Sequence, residues 1–314
     1  MPSNRKPHIV NRILRPLGLS LGRAPRSFSG GGQLVEQRVG RVDILMPEDS
    51  EIRHTYLSIP GYCSHLGRVA RCVAAKYPNT RVIDIGANVG DTVAVVKSAM
   101  DLPMLAIEGD DRCYEVLSKN ITRFKGVTAA KVFLGEREES VEVAISKEGW
   151  NTTLAPGDAS GNHGGPAGKR KISFQTLDAL LRNDAHREHY KLIKLDTEGF
   201  DLRILRGAGE LLRQNRPVLL LEYNIEAMSA ISEDGPAGLN RLRELGYSDL
   251  LIWDPRGTFL FRGNLSSDEF LRDLSHYLLR DDRLMAYVDL CAFSGTDSDL
   301  AEQCAIGERA FFKS

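Results

Sequence analysis

Aliphatic runs alternate with amphipathic stretches through the middle of the chain. Five of these runs predict strands that are buried on both faces: Arg81–Ile85, Met104–Glu108, Thr128–Leu134, Leu192–Asp196 and Val218–Glu222. Helical periodicity after Gly90, Asp111 and Gly199 fills the gaps between them. This rhythm predicts an α/β fold with a doubly wound, mostly parallel sheet and right-handed crossovers.

The pattern changes on both sides of this region. Residues 33–80 predict a lead-in, with an edge strand at Val39–Met46 and a helix at Leu66–Tyr77. Beyond the sheet, Leu250–Trp253 and Thr258–Arg262 flank a turn and predict a β-hairpin. We therefore expect a main domain over residues 81–262. A helix at residues 267–279 suggests that residues 263–314 form a helical extension.

A polar, Gly-rich stretch interrupts the strand and helix rhythm. Val141–Ile145 and Ile172–Phe174 predict a pair of short strands, and residues 151–171 between them predict a long loop. Long loops inside compact domains are often functional, so this one is a candidate lid over a substrate. Asn151, Thr152 and Thr153 have side chains suited to sugar hydroxyls. The alternative interpretation is a plain connection.

Composition narrows the class of protein and its partners. Lys plus Arg is 41 and Asp plus Glu is 42, a balance that gives no drive toward nucleic acid. No apolar stretch is long enough to insert into a membrane. Five scattered cysteines argue against a disulfide framework and indicate a reducing, cytoplasmic location. Residues 1–32 are basic and lack acids, which predicts a flexible arm or, alternatively, a mitochondrial transit peptide.

The strongest chemical signal is a glycine loop at the end of the first long aliphatic strand. Gly86 and Gly90 are expected to let backbone approach a ligand closely. Glu108 ends the next strand, where a carboxylate can accept hydrogen bonds from ribose hydroxyls. Asn88 and Asp91 stand where a dinucleotide fingerprint requires glycine.

The charge of this loop distinguishes between ligands. Asp84 and Asp91 put negative charge at its mouth, which disfavours the pyrophosphate of NAD. S-adenosylmethionine carries an ammonium, a sulfonium and a ribose, and therefore suits the loop better. The alternative is that Asp84 and Asp91 only cap helix ends.

Several segments, in this order, resemble the FkbM-type methyltransferases. They are Val82–Thr92, Leu105–Asp110, Leu177-Asp178, Lys191–Asp201, Leu205–Ala208, and Pro217 with Glu222. The resemblance implies a class I methyltransferase fold and O-methyl transfer from S-adenosylmethionine to a sugar or a polyketide-type molecule. It also implies that the acceptor is a small molecule or glycan.

The resemblance assigns cofactor-binding residues by position. Asp84, Gly86, Asn88 and Gly90 match the first cofactor motif, with Ala87 and Asp91 in the same loop, and Glu108 matches the ribose-binding acid. Gly135 and Glu136 match a Gly-Asp pair near adenine, although Glu136 has the longer side chain.

Three interpretations remain open for the acids at the later strand ends. Asp196 or Glu198 is the general base that removes a hydroxyl proton. Alternatively, Asp196, Glu222 and Asn224 hold a divalent metal ion. In the third, these acids bind the methionine ammonium or brace turns. Lys194 is expected to pair with a nearby acid.

The sequence thus predicts an S-adenosylmethionine-dependent O-methyltransferase, with a divalent metal possible but not favoured. A rival enzyme class is an NAD-dependent oxidoreductase on a Rossmann-like fold. A rival of another kind is a non-catalytic interaction module with the same fold.

Overall fold

The computed structural model describes residues 32–148, 151–156 and 168–312. Its strands are β1 (Leu34–Val39), β2 (Val42–Pro47), β3 (Arg81–Ile85), β4 (Met104–Glu108), β5 (Val127–Lys131), β6 (Phe133–Leu134), β7 (Glu139–Glu148), β8 (Asn151–Pro156), β9 (Gly168–Gln175), β10 (Tyr190–Leu195), β11 (Val218–Tyr223), β12 (Tyr247–Trp253), β13 (Phe259–Asn264) and β14 (Val288–Ser294).

The α-helices of these ranges are α1 (Glu51–Ser58), α2 (Ser64–Lys76), α3 (Asp91–Ala99), α4 (Asp111–Ile121), α5 (Leu177–Leu180), α6 (Asp201–Arg206), α7 (Gly209–Asn215), α8 (Ile225–Ala230), α9 (Gly235–Glu244), α10 (Asp268–Leu278) and α11 (Ser298–Phe311). None of these helices has the length and apolar character needed to span a membrane.

An eight-stranded sheet in the order β13-β12-β14-β11-β10-β3-β4-β5 forms the centre of the molecule. The five strands from β11 to β5 in this order run parallel. The other three are antiparallel to their neighbours. The predicted doubly wound sheet is confirmed, and β12 with β13 is the predicted hairpin.

Both faces of this sheet are buried, which explains the continuous aliphatic runs. Along β10, Leu192 belongs to one core and Ile193 to the other. The first core packs under α2, α3, α4 and α11, and the second under α6, α7, α9 and α10. The two layers hold the carboxyl ends of the parallel strands at one edge of the molecule.

The predicted strand Thr128–Leu134 is wrong as a single element. β5 ends at Lys131, and β6 leaves the central sheet to pair with β9 in a second sheet of order β6-β9-β7-β8. Phe133 packs there against Phe174, with ring centroids 6.2 Å apart. The packing of Phe133 against Phe174 stabilises β6 in the second sheet, although the local aliphatic pattern predicts one continuous strand in the central sheet.

The second sheet also corrects the predicted loop over 151–171. Val141 and Ile172 pair as expected in β7 and β9. Residues 151–156, however, form β8, which pairs antiparallel with β7. The remainder of the loop, residues 157–167, lies outside the described residues, as do Trp150 and the arm up to residue 31.

The two flanks also differ from their predictions. The expected edge strand Val39–Met46 is a hairpin of β1 and β2, which turns at Gly40 with a φ of +59°. Residues 263–314 are not a helical extension, because β14 inserts between β11 and β12 in the central sheet. Its partners are distant in sequence, so local periodicity does not reveal this pairing.

Candidate active site

A cavity of about 530 Å³ lies at the carboxyl ends of β3, β4, β10 and β11. Open α/β sheets bind their ligands at this edge. Asn88 follows β3, Glu108 ends β4, Asp196 follows β10 and Glu222 lies near the end of β11, and all four line the cavity. The topology therefore brings together most of the predicted chemistry.

The two loop glycines serve the packing of the protein itself. Gly86 has a φ of +72°, and a methyl group there would overlap the carbonyl oxygen of Asp196. Gly90 has a φ of +89°, and its added carbon would lie 2.9 Å from Leu117. The packing of the loop therefore requires both glycines; Gly86 also lines the cavity, and a close approach of a ligand to the two residues stays a prediction. Ala87 is buried and donates its N–H to Ile107.

Asn88 and Glu108 are polar residues on the side of the cavity formed by the ends of β3 and β4. Glu108 accepts hydrogen bonds from the backbone N–H of Asn88 at 2.9 Å and from that of Asp110 at 2.7 Å. Burial raises the pKa of Glu108 to about 7, against the opposing effect of these two amides. Asn88 Oδ1 is buried without a hydrogen-bond partner among the described residues. A buried acceptor of this kind is available to a donor group of a ligand or to a water molecule.

Asp84 lies beneath the loop, away from the position expected at its mouth. It is fully buried, accepts a hydrogen bond from Thr92 Oγ1 at 2.5 Å, and has Lys194 Nζ 3.2 Å from Oδ1. Lys194 also donates to the carbonyl of Gly86 at 3.0 Å. The prediction that Lys194 pairs with an acid is confirmed. Asp84 thus holds the loop through Lys194.

Asp91 does line the cavity, at the start of α3. Tyr56 Oη donates to its Oδ2 at 3.1 Å. Burial raises the pKa of Asp91 to about 6, with Lys194 opposing the shift and Asp84 adding to it. Its carboxylate is therefore fixed between α1 and the glycine loop, where it adds negative charge to the cavity.

Asp196 and Glu198 lie in the turn after β10. The Asp196 side chain is 44% exposed within the cavity, and Lys194 Nζ lies 3.7 Å from its Oδ2. Desolvation raises the pKa of Asp196, Lys194 opposes that shift, and the carboxylates of Asp289 and Asp84 add to it. Glu198 also lines the cavity, and its backbone is in the left-handed region, with a φ of +52°.

Glu222 and Asn224 stand beside this turn. Asn224 Nδ2 donates to Glu222 Oε1 at 3.1 Å, and its Oδ1 caps α8 by accepting from Ala227 N at 3.1 Å. Burial, followed by the charges of Asp196 and Glu198, raises the pKa of Glu222 well above its usual value. Both polar atoms of the Asn224 side chain therefore make hydrogen bonds within the protein, one to Glu222 and one to the first turn of α8.

Within residues 32–148, 151–156 and 168–312, no group of three or more His, Cys, Asp or Glu is arranged for a metal ion.

Gly135 and Glu136 make hydrogen bonds within the protein, and their predicted place near adenine stays a prediction. Gly135 N donates to Gln175 O, and Glu136 accepts from Arg206 Nε at 2.6 Å, in a network with Glu233. Neither residue is part of the cavity lining described by the structure. Asn151, Thr152 and Thr153 lie in β8, and their role toward a substrate stays a prediction.

Three phenylalanines form an aromatic wall of the cavity. Phe133, Phe174 and Phe200 line the cavity, and the rings of Phe174 and Phe200 stack at 6.0 Å with an interplanar angle of 10°. Gly109 allows this wall, because an added methyl group would overlap the Phe133 ring. The second sheet supplies two of the three rings.

Residues far from the motifs complete the cavity. Thr55 from α1, Tyr62 and Cys63 before α2, Arg256 in the β12–β13 turn and Tyr287 before β14 line it. The sequence analysis missed all of them, because no motif or spacing marks them. Trp253, by contrast, is fully buried in the core and donates to Glu308 at 2.8 Å.

Comparison with known proteins decides the family. Residues 84–248 match the model of the methyltransferase FkbM domain, which covers more than half of the chain. The chain belongs to the FkbM methyltransferase family. Membership confirms the predicted family, identifies the Rossmann-like sheet as a class I methyltransferase fold, and makes S-adenosylmethionine the expected methyl donor of this FkbM-family protein.

Two of the solved structures that match the chain are methyltransferases. The FkbM methyltransferase from Methylobacillus flagellatus KT is 19% identical, and the match covers 55% of this chain and 40% of that one, with a TM-score of 0.37. A precorrin-6y C5,15-methyltransferase from Geobacter metallireducens GS-15 is 11% identical over 74% of this chain and 85% of that one, with a TM-score of 0.36. The FkbM-family chain thus spans less than half of the Methylobacillus protein. No curated protein matches the chain significantly.

Proposed function

We propose that the protein is an S-adenosylmethionine-dependent O-methyltransferase that acts on a hydroxyl of a sugar, glycan or polyketide-type small molecule. The observation that carries the proposal is the cavity at the carboxyl edge of the sheet. Glu108 and the unpartnered Asn88 Oδ1 stand at one side of it, and Asp196 stands at the other.

The residues beside Glu108 and Asn88 have the chemistry needed to bind the methyl donor, S-adenosylmethionine. Glu108 has lone pairs left beyond its two backbone hydrogen bonds, and these can accept the ribose hydroxyls. Asn88 Oδ1 accepts from a ligand N–H or O–H, and Phe133 offers an aromatic face to adenine. When bound, S-adenosylmethionine supplies the electrophilic methyl group.

The charge of the lining supports a cationic donor and an uncharged acceptor. Two described lining residues are basic, Lys194 and Arg256, and the acidic ones are Glu51, Asp91, Glu108, Asp110, Asp196, Glu198 and Glu222. Such a cavity attracts a sulfonium and repels phosphate groups. NAD and phosphorylated acceptors are therefore disfavoured.

We assign Asp196 as the general base, with Glu198 as the alternative. Asp196 is exposed to the cavity, and its raised pKa brings its basicity closer to working pH. The neighbouring Lys194 ammonium stays charged, because Asp84, Asp196 and Asp91 raise its pKa despite burial. A protonated Lys194 keeps Asp196 ionised and oriented until it accepts the hydroxyl proton.

Calorimetric titration with S-adenosylmethionine and with NAD tests the cofactor. Binding of S-adenosylmethionine alone is expected, and binding of NAD alone would favour an oxidoreductase. Binding of neither would favour an interaction module.

Transfer from labelled S-adenosylmethionine to candidate glycans tests the reaction. Asp196→Asn should lower the rate at least about 100-fold without weakening donor binding, and Glu198→Gln is the matched comparison. The larger rate loss identifies the base.

A further inference from the structure

Two helices pack antiparallel on the first core face, with a cysteine from each at the middle of their contact. Arg68 of α2 makes a two-pronged ion pair with Glu308 of α11, at 2.6 and 2.7 Å. Two turns further along α2, Lys76 pairs with Asp299 at 2.5 Å. These two pairs fix the register of the helices. Cys72 lies midway between Arg68 and Lys76, and Cys304 lies one turn before Glu308.

The helix register places Cys72 level with Cys304, and Cys72 packs against the core to which Cys304 belongs. The neighbouring Cys304 thiol lowers the pKa of Cys72 to about 7, Arg71 adds to this shift, and partial burial opposes it. Cys72 is half-buried at the edge of the helix contact, whereas Cys304 is buried. Cys72 is thus partly accessible from solvent, and its lowered pKa favours the thiolate; these are the two conditions for a reactive thiol.

We propose that Cys72 and Cys304 are a redox-sensitive pair that closes to an intrachain disulfide when the protein meets a small-molecule disulfide. The Cys72 thiolate attacks one sulfur of the oxidant and releases a first small thiol. Cys304 then loses its proton and attacks Cys72 Sγ, which releases a second small thiol. The two protein thiols are oxidised, the oxidant is reduced to two thiols, and the two protein protons end on them.

The disulfide would join two parts of the chain that are distant in sequence. α2 begins directly after Tyr62 and Cys63, which line the cavity, and α11 packs against the hairpin that carries Arg256. Closure of such a long loop reduces the entropy of the unfolded chain. We therefore expect the oxidised protein to unfold several degrees above the reduced protein.

The test uses the full-length reduced protein and an excess of oxidised glutathione. Remaining thiols are alkylated under denaturing conditions, and tryptic peptides are analysed by mass spectrometry with and without reduction. We expect two of the five cysteines to escape alkylation, in a peptide that joins Cys72 to Cys304. The melting temperature should rise in the same sample and return on reduction.

Three variants make the test specific. Cys72→Ser, at the half-buried position, should abolish both the linked peptide and the shift in melting temperature. Cys304→Ala should do the same, and Cys291→Ala, which removes a third buried thiol from the same core, should retain both. Full alkylation of all five cysteines after oxidation would overturn the proposal. So would glutathione on Cys72 without closure, a link through Cys291, or a link between two chains.

Discussion

At the residue scale, the site depends on charges that are buried under the glycine loop. Asp84 and Lys194 pair directly across adjacent strands β3 and β10, so their side chains share one face of the sheet. The sequence predicts that Lys194 pairs with a nearby acid, but it does not predict that this acid is Asp84. It does not predict that the pair faces inward, because depth below the loop depends on the packing of Gly86 against Asp196.

Removal of the Lys194 ammonium should strongly destabilise the fold. Lys194→Met leaves the fully buried Asp84 without its counter-ion, at a cost of about 3–5 kcal/mol in the free energy of unfolding. Urea denaturation measures this cost. The control is Lys191→Met, three residues earlier in β10. The Lys191 ammonium donates a hydrogen bond to the backbone carbonyl of Asn215. The double variant Lys194→Met/Asp84→Asn should recover part of the loss. Equal costs for the two lysines would contradict the account.

Donor affinity should rise with pH. The pKa of free Glu108 is raised to about 7 and that of Asp91 to about 6, and a bound sulfonium and ribose favour both ionised forms. Affinity for S-adenosylmethionine should therefore increase between about pH 6 and about pH 8, with proton release on binding. Calorimetry in two buffers of different ionisation enthalpy checks this.

Glu108→Gln should reduce that pH dependence and weaken binding by about 1–3 kcal/mol. A slope that persists unchanged in this variant would show that Glu108 is not the titrating group.

At the element scale, strands buried on both faces were predictable, and strands defined by distant partners were not. β3, β4, β10 and β11 are aliphatic runs whose bounds the sequence predicts almost to the residue. β14 has an equally apolar run, yet its place depends on β11 and β12. The division of β5 from β6 likewise follows from the contact between Phe133 and Phe174.

The loop after β3 should tolerate no side chain at Gly86. Gly86→Ala combines a left-handed backbone with overlap of the Asp196 carbonyl, so we expect a loss of at least about 3 kcal/mol. Gly246→Ala is the matched control, because Gly246 has a φ of +90° and nothing within 4 Å of the added carbon. It should cost about 1 kcal/mol. The loss of stability on thermal unfolding is compared for the two variants. The loss in Gly246→Ala measures backbone strain alone, and the additional loss in Gly86→Ala measures the overlap with Asp196.

The second sheet should contribute to donor binding through its aromatic wall. Phe133→Ala is expected to weaken binding of S-adenosylmethionine by about 1–2 kcal/mol, because the cavity loses an aromatic face. Phe261→Ala, on the exposed face of β13, is the control and should bind normally. Equal affinities in titration would remove Phe133 from the site.

At the scale of the whole molecule, the cavity is assembled from most of the chain. The sequence motifs identify the part of the cavity at the strand ends, since Asn88, Glu108 and Asp196 lie at or just after the ends of strands with clear patterns. Its cover comes from α1, the segment before α2, the β12–β13 turn and Tyr287. These segments come together only when β14 is inserted into the sheet. Their place in the cavity therefore depends on contacts between residues distant in sequence, and local sequence patterns do not predict it.

The most direct test of the central claim is a crystal structure with S-adenosylhomocysteine, the demethylated donor. We expect the ligand in the cavity at the carboxyl edge of the sheet, with its ribose on Glu108, a hydrogen bond to Asn88 Oδ1, and its adenine beside Phe133. A ligand bound elsewhere, or one in the cavity that contacts neither Glu108 nor Asn88, would contradict this account.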